Sequence, residues 1–230
     1  MQSSPGERSS GPRGRPWRRS QWTPLARALN AMGDHWTLPI ALQLAGGRKR
    51  PVQLQRQLTG ISSSVLDRRL QDMVALGLAR TERFREMPPR VEVALTEAGR
   101  ELLPSAGALA RWGMRHAWSA PRAGELIDVD ALLGLLPLLL EQAARLPDGT
   151  FELTVEQPGG DLRRRFRIAG CEVSEQQAEE SKPTASVAGD TDAWIAALGP
   201  ARDYQRLRFA GRKALARRVL EALPVAPEKA

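Results

Sequence analysis

The stretch "GISSSVLDRRLQDMVALGL", residues 60–78, decides how this chain is read. Leu66, Leu70 and Met73 recur at i, i+4 and i+7, the spacing of an apolar helix face. Ser64, Arg68 and Gln71 point the opposite way, with Asp67 at the edge of that polar face. Gly77 is placed to stop the helix. Ser62 or Ser63 can cap its start, worth about 1 kcal/mol. One serine is enough for a cap, so the other two ask for a further reason. Two readings are open. The polar face is simply solvated, or small hydroxyl residues let the helix start approach a DNA major groove, with arginine projecting further along.

The flanking sequence bears on that choice. Pro24 to Met32 reads as a first helix, and Asp34 as the cap of "HWTLPIALQLA" (35–45), with Trp36, Ile40 and Leu44 on one face. Pro39 predicts a bend there. Gly46-Gly47 ends that helix, "RKR" (48–50) follows, and Pro51 to Leu58 reads as a short helix with proline at its first position. Thr59-Gly60 turns into the opening stretch. Beyond it come "LARTERF", "REMPP" and "RVEVALT". Val91, Val93 and Leu95 alternate with Arg90, Glu92 and Ala94, so two strands with a Met-Pro-Pro tip form a hairpin carrying Arg80, Arg83, Arg85 and Arg90. Thr96 caps one helix running through residues 97–118. Helix, turn, capped helix and basic hairpin make a winged helix-turn-helix. The hairpin favours the groove reading. The candidate DNA contacts are Ser62, Ser63, Ser64, Asp67, Arg68, Gln71, Arg50, Arg83, Arg85 and Arg90.

Charge points the same way. The 230 residues carry a formal net charge of +8, and arginine suits bidentate contacts to phosphate or guanine. Residues 1–122 hold 20 Lys/Arg against 9 Asp/Glu, whereas residues 123–230 hold 14 against 17. A basic half joined to a slightly acidic half suggests a polyanion-binding module fused to something else. Cys171 is the only cysteine, which rules out an intrachain disulfide or a thiolate metal cluster and fits a reducing cytoplasm. The longest apolar run, "LLGLLPLLL" (132–140), is far below the roughly 20 residues of a membrane span. A cytoplasmic protein with no membrane partner, no metal and no cofactor is expected. No nucleophile–base–orienter set or phosphate-cradling glycine loop suggests an enzyme.

Residues 1–20 are Ser/Gly/Pro/Arg-rich and read as a disordered basic tail. Within it, Pro12-Arg13-Gly14-Arg15-Pro16 resembles the core of an AT-hook, in which the two arginines enter a narrow minor groove. Trp17 stands where such motifs usually continue with basic residues. Arg13 and Arg15 are therefore candidates for the groove or for plain phosphate attraction.

Residues 24–118 resemble the HxlR family of bacterial winged-helix regulators. The strings that carry the resemblance are "GDHWTLPI" (33–40), "ISSSVLDRRLQDMVALGLARTERF" (61–84), "MPPRVEVALTEAGRELLP" (87–104) and "RWG" (111–113). It implies a homodimer on a pseudo-palindromic operator in double-stranded DNA, with the first and last helices of the module at the dimer contact. It implies a groove-facing role for Ser63, Ser64, Asp67 and Arg68, and a wing role for Arg85 and Arg90. Two departures stand out. Thr23 precedes Pro24 where many members have a cysteine, which excludes thiol sensing by that route. Pro51 stands where the family often has an aromatic residue.

The pattern changes after "SAPRAGE" (119–125). "DVDALLGLLPLLLEQAARL" (128–146) is apolar nearly all round, as in a buried or cavity-lining helix, and Pro137 should kink it. Phe151, Leu153 and Val155 alternate in one strand, Phe166 and Ile168 in the next. A polar loop "SEQQAEESK", a strand "TASVAG", a helix "DAWIAALG" started by Asp190 or Thr191, a strand "RLRFAG" and an amphipathic helix "RKALARRVLEAL" complete the chain. This order resembles the sterol-carrier-protein-like domain, an α+β fold with a twisted sheet enclosing an apolar tunnel. Arg212 follows Gly211 where that family often has an acidic residue. The resemblance implies binding of a hydrophobic small molecule, with Leu136, Leu140, Phe151, Leu153, Phe166 and Trp194 as candidate lining. Plain core packing is the other reading of each. Arg163 to Arg167 could meet an acidic head group or form a solvated strand face.

The expected fold class is α+β: a winged helix-turn-helix followed by a sterol-carrier-like domain. The expected boundaries are a tail (1–20), the DNA-binding domain (21–118), a linker (119–127), the second domain (128–224) and a short tail (225–230). The expected function is a dimeric, sequence-specific transcriptional regulator, a repressor responsive to a hydrophobic small molecule. The alternatives are a hydrophobic-ligand carrier or sequestering protein with secondary DNA binding, and an architectural protein whose second domain only dimerises.

Overall fold

The computed structural model describes residues 22–32, 34–85, 90–176 and 182–224 of the chain. Helix α1 spans Pro24–Met32 and buries none of its side chains. Helix α2 spans Thr37–Ala45. The Asp34 carboxylate accepts hydrogen bonds from the Trp36 N–H (2.7 Å), the Thr37 N–H (3.0 Å) and the Thr37 hydroxyl. The helix thus starts later than its sequence suggests. Pro39 falls in its first turn, where the missing N–H would have had no helical partner, so the cause of the expected bend is absent. Helix α3 spans Pro51–Gln57 and α4 Ser63–Ala75. Ser62 is the α4 cap, accepting from the Val65 N–H at 3.4 Å, and Gly77 follows with φ +72°.

Strands β1 (Ala79–Phe84) and β2 (Arg90–Leu95) pair antiparallel from Ala79↔Leu95 to Phe84↔Arg90. Lys49 adds a bridge on the far side of β2, exchanging both backbone hydrogen bonds with Val93. The expected alternation of β2 holds at Val93 and Leu95 and fails at Val91, which is 41% exposed, while Glu92 is buried. The hairpin leaves the core as it nears its tip, and three arginines enclose Glu92. The single helix expected over 97–118 is two, α5 (Glu97–Arg100) and α6 (Leu103–His116). Pro104 would clash with the carbonyl four residues back in a continuous helix. Ile40, Leu44, Leu54, Leu66, Leu70, Met73, Val93 and Leu95 form the core of this half.

In the second half the leucine-rich segment divides into α7 (Val129–Gly134) and α8 (Leu136–Leu140), with Pro137 in the first turn of α8. Five strands follow: β3 (Gly149–Glu156), β4 (Leu162–Ala169), β5 (Glu172–Gln176), β6 (Ala185–Asp190) and β7 (Arg208–Gly211). Their order is β5-β4-β3-β6-β7, antiparallel except that β3 and β6 run parallel. Helix α9 (Thr191–Leu198), capped by Asp190, connects β6 to the adjacent antiparallel β7, and α10 (Lys213–Glu221) closes the described chain. Part of the segment taken as a polar loop is β5, an edge strand that needs no apolar alternation. Phe151, Leu153 and Val155 are fully buried, while the intervening residues of β3 are half-buried, so α7–α10 cover one sheet face.

Helix α6 serves both halves. Its Ala106, Gly107, Arg111 and Met114 are buried, and Met114 belongs to the core of the second half. Arg111 donates to the Leu138 carbonyl and, at 2.9 Å, to Glu141. Among the described residues, no helix is long and apolar enough to cross a membrane.

Candidate nucleic-acid interface

The α4 seam of Leu66, Leu70 and Met73 turns the opposite face outward. Ser62, Ser63, Ser64, Asp67, Arg68 and Gln71 are all exposed, with the Ser62 and Ser64 hydroxyls 3.3 Å apart. The two arginines of "DRR" have different work. Arg68 makes no ion pair among the described residues. Arg69 turns inward to Asp34 at 3.4 Å and Asp72 at 3.1 Å, tying α4 to the start of α2.

The hairpin register sorts the wing arginines. Glu82 and Glu92 lie opposite one another, as do Arg80 and Ala94, and Phe84 and Arg90. These residues share one face, whereas Arg83 sits opposite Val91 on the other. Arg83 and Arg90 therefore do not form one basic surface. Arg85 is exposed at the end of β1, next to the tip residues 86–89, which lie outside the described residues.

Onto the Glu82/Glu92 face comes the extended segment 48–50, joined to β2 by the single Lys49–Val93 bridge. Strand alternation sends Lys49 one way and its neighbours the other. Arg48 pairs with Glu82 at 3.0 Å and Glu92 at 3.4 Å, and Arg50 approaches Glu92 at 4.0 Å. Arg90 pairs with Glu92 at 3.2 Å, and Arg80 with Glu82 at 3.0 Å. The Arg48 and Arg90 guanidinium groups lie 5.3 and 4.7 Å from the Phe84 ring centroid. Four arginines against two carboxylates leave this face cationic, and the ring and carboxylates fix where the guanidinium groups point. Hydrogen bonds from Arg48 and then Arg80 hold the Glu82 carboxyl below the usual carboxylate range. Arg48 and Arg80 were not among the expected contacts. The "RKR" run was the signal for Arg48, but sequence does not show that it bridges to the hairpin through Lys49.

Lys49 faces the second half, donating to Gln57 at 2.8 Å and Gln43 at 3.3 Å. Burial, with Arg164 nearby, pushes its ammonium pKa down. Arg164, which burial alone would also lower, is instead raised by its hydrogen-bonded partners Asp130 (2.5 Å) and Glu175 (2.7 Å). Arg165 is buried against Glu152, so it is not a free anion contact. Arg13 and Arg15 lie outside the described residues.

The expected ligand-lining residues sit together in the second core. Leu136, Leu140, Phe151, Leu153 and Phe166 are 0–2% exposed and interlock in the second core, where β3 and β4 press directly on the helices. Trp194 is equally buried, yet one side of it also faces a cavity of about 280 Å³ beside the linker.

Comparison with known proteins places residues 31–120 in a match to the HxlR-like helix-turn-helix family. The chain is 33% identical over 98 residues to an uncharacterized HTH-type transcriptional regulator of Methanothermobacter thermautotrophicus, spanning 43% of this chain and 75% of that one. It is 32% identical over 97 residues to another, from Halalkalibacterium halodurans, spanning 42% and 86%. A crystal structure described as a MarR-family transcriptional regulator of Porphyromonas gingivalis W83 aligns at 31% identity over 42% of this chain and 94% of its own, with a TM-score of 0.40.

Proposed function

Because the chain belongs to the HxlR-like helix-turn-helix family, a family of DNA-binding transcriptional regulators, we propose that it grips a pseudo-palindromic operator as a homodimer and represses transcription until a hydrophobic small molecule binds. In this reading Ser63, Ser64, Asp67, Arg68 and Gln71 enter the major groove, with Ser62 at the helix start. Arg50, Arg85 and Arg90 hold the flanking backbone, and Arg83 contacts phosphate from the opposite face of the wing. The observation that carries the reading is the α4 surface: an exposed row of small hydroxyls with Arg68, which makes no ion pair among the described residues, in the same module as a carboxylate-ordered arginine cluster.

Dimerisation is supported by α1. Leu25 and Leu29 are 69% and 55% exposed on a helix that buries nothing within its own chain. Leu109 and Trp112 of α6 are 58% and 56% exposed. A second copy of the same faces would cover them, as a two-fold contact requires. The basic tail with Arg13 and Arg15 would add non-specific or minor-groove attraction.

We read residues 128–224 as the sterol-carrier-like domain and 119–127 as the linker. The five-stranded mixed sheet with helices on one face supports an α+β domain of that kind. In the second reading, a carrier with secondary DNA binding, ligand and DNA are independent. Titrating the full chain against a duplex it selects from a random pool, and against unselected duplex, tests the regulator. Equal affinity for both at physiological salt would rule it out.

A further inference from the structure

We propose that the effector site lies at the linker, not inside the sheet: a pocket between Trp118 and Trp194 that takes a neutral, multi-ring aromatic molecule and is read out through the turn before the recognition helix. This rests on the regulator reading given above.

The cavity of about 280 Å³ is walled by Trp118, Leu126, Ile127, Leu132, Trp194 and Leu198. Both indole N–H groups are already spent. Trp118 donates to the Leu198 carbonyl and Trp194 to the Thr154 carbonyl, each at 2.9 Å. Neither indole has a donor to spare; Trp194 is buried behind the wall, and Trp118 with its aliphatic neighbours supplies the accessible carbon surface, which suits an aromatic guest. Trp118, Leu126 and Ile127 are 40%, 66% and 46% exposed, so the mouth is an uncovered apolar patch. The charged groups at the rim are Arg122, Glu125 and Asp128, and Glu125 already accepts from the Arg122 N–H.

The same wall touches the helix-turn-helix. Asp128 accepts from the Ala131 N–H at 2.8 Å, capping α7, and its other oxygen accepts from the Thr59 hydroxyl at 3.2 Å. A methyl on Gly60 would lie 3.0 Å from Leu126 Cδ1, so Leu126 rests against the turn backbone. Thr59-Gly60 joins α3 to α4, and Ser62 caps α4 two residues later. A guest that pushes Leu126–Asp128 outward releases the brace behind the DNA-reading end of α4. Ligand and DNA then favour different positions of one segment, which is what coupling requires.

The probe is N-phenyl-1-naphthylamine, neutral and fluorescent in apolar surroundings, with the full chain and a duplex selected by it from a random pool. Wild type should bind the probe, and saturating probe should weaken the duplex roughly tenfold. Leu132→Trp, which fills the pocket, and Ile127→Glu, at a half-exposed wall position, should each lose the probe. Thr59→Val should bind the probe with a reduced effect on DNA. No probe binding by wild type, or undiminished binding by both wall variants, overturns the site. Binding in the pocket with unchanged duplex affinity overturns the coupling. Failure to select any duplex sinks the regulator reading, while the probe titrations still decide the pocket.

Discussion

Glu82 and Glu92 face each other across the hairpin, and one Arg48 guanidinium answers both, at 3.0 and 3.4 Å. Two like charges in register on a strand pair would repel. Here they become the anchor for a residue from the segment that bridges to β2 through Lys49. The same short segments supply both the positive charge of this face and the carboxylates that hold it in place.

Arg48→Met removes the bridging cation, and the Glu82 carboxyl should then titrate higher, toward its ordinary range, as followed by NMR of the side chain. In the wild type the Glu82 pKa is depressed in the folded state. Its stabilising contribution is present above the unfolded carboxylate pKa and is lost as pH falls through the folded value. The acid limb of the wild-type stability curve should therefore flatten in Arg48→Met.

Arg68→Ala should cost about 1–3 kcal/mol on the selected duplex if it contacts a base pair, with little change on random DNA. Arg85→Ala should weaken both alike and lower the salt slope by about one. Equal losses on both duplexes for Arg68→Ala would remove its specific role.

Gly99→Ala tests how the wing is fastened. A methyl there would sit 2.0 Å from the Leu78 carbonyl, against backbone that cannot move aside. Thr96 holds the same corner, its hydroxyl donating to the Gly77 carbonyl at 2.6 Å. Urea denaturation should show a loss of about 3 kcal/mol.

Leu29→Glu with Trp112→Glu places carboxylates on both uncovered apolar faces without touching either core. Light scattering should report a monomer, and affinity for a duplex with two half-sites should fall to that for one. A dimer that survives both changes would remove these helices from the interface.

Much of the reader half was legible because periodicity states burial directly. Leu66, Leu70 and Met73 fell where the 3.6-residue repeat put them, and Ser62 was one of the two expected caps. Proline was legible as punctuation but not as geometry. Pro39 could not announce that the helix would begin at Thr37, nor Pro104 and Pro137 that the helix would divide rather than bend. Side chains defined by distant partners were not legible. Glu92 is buried because Arg48, Arg50 and Arg90 converge on it, and nothing local to β2 says so. The same holds for the residues expected to line a ligand. Phe151 and Phe166 show the alternation of a covered strand whether the cover is a guest or α8 and α10.

Helix α6 gives Met114 to one core while its N-terminal end follows from the other, and Trp118 just beyond it is bonded to Leu198. A reader module excised at Trp118 would carry away a slat of its neighbour's wall and leave both raw. The two cores therefore share one wall, and cutting the chain at Trp118 would bare apolar surface on both pieces.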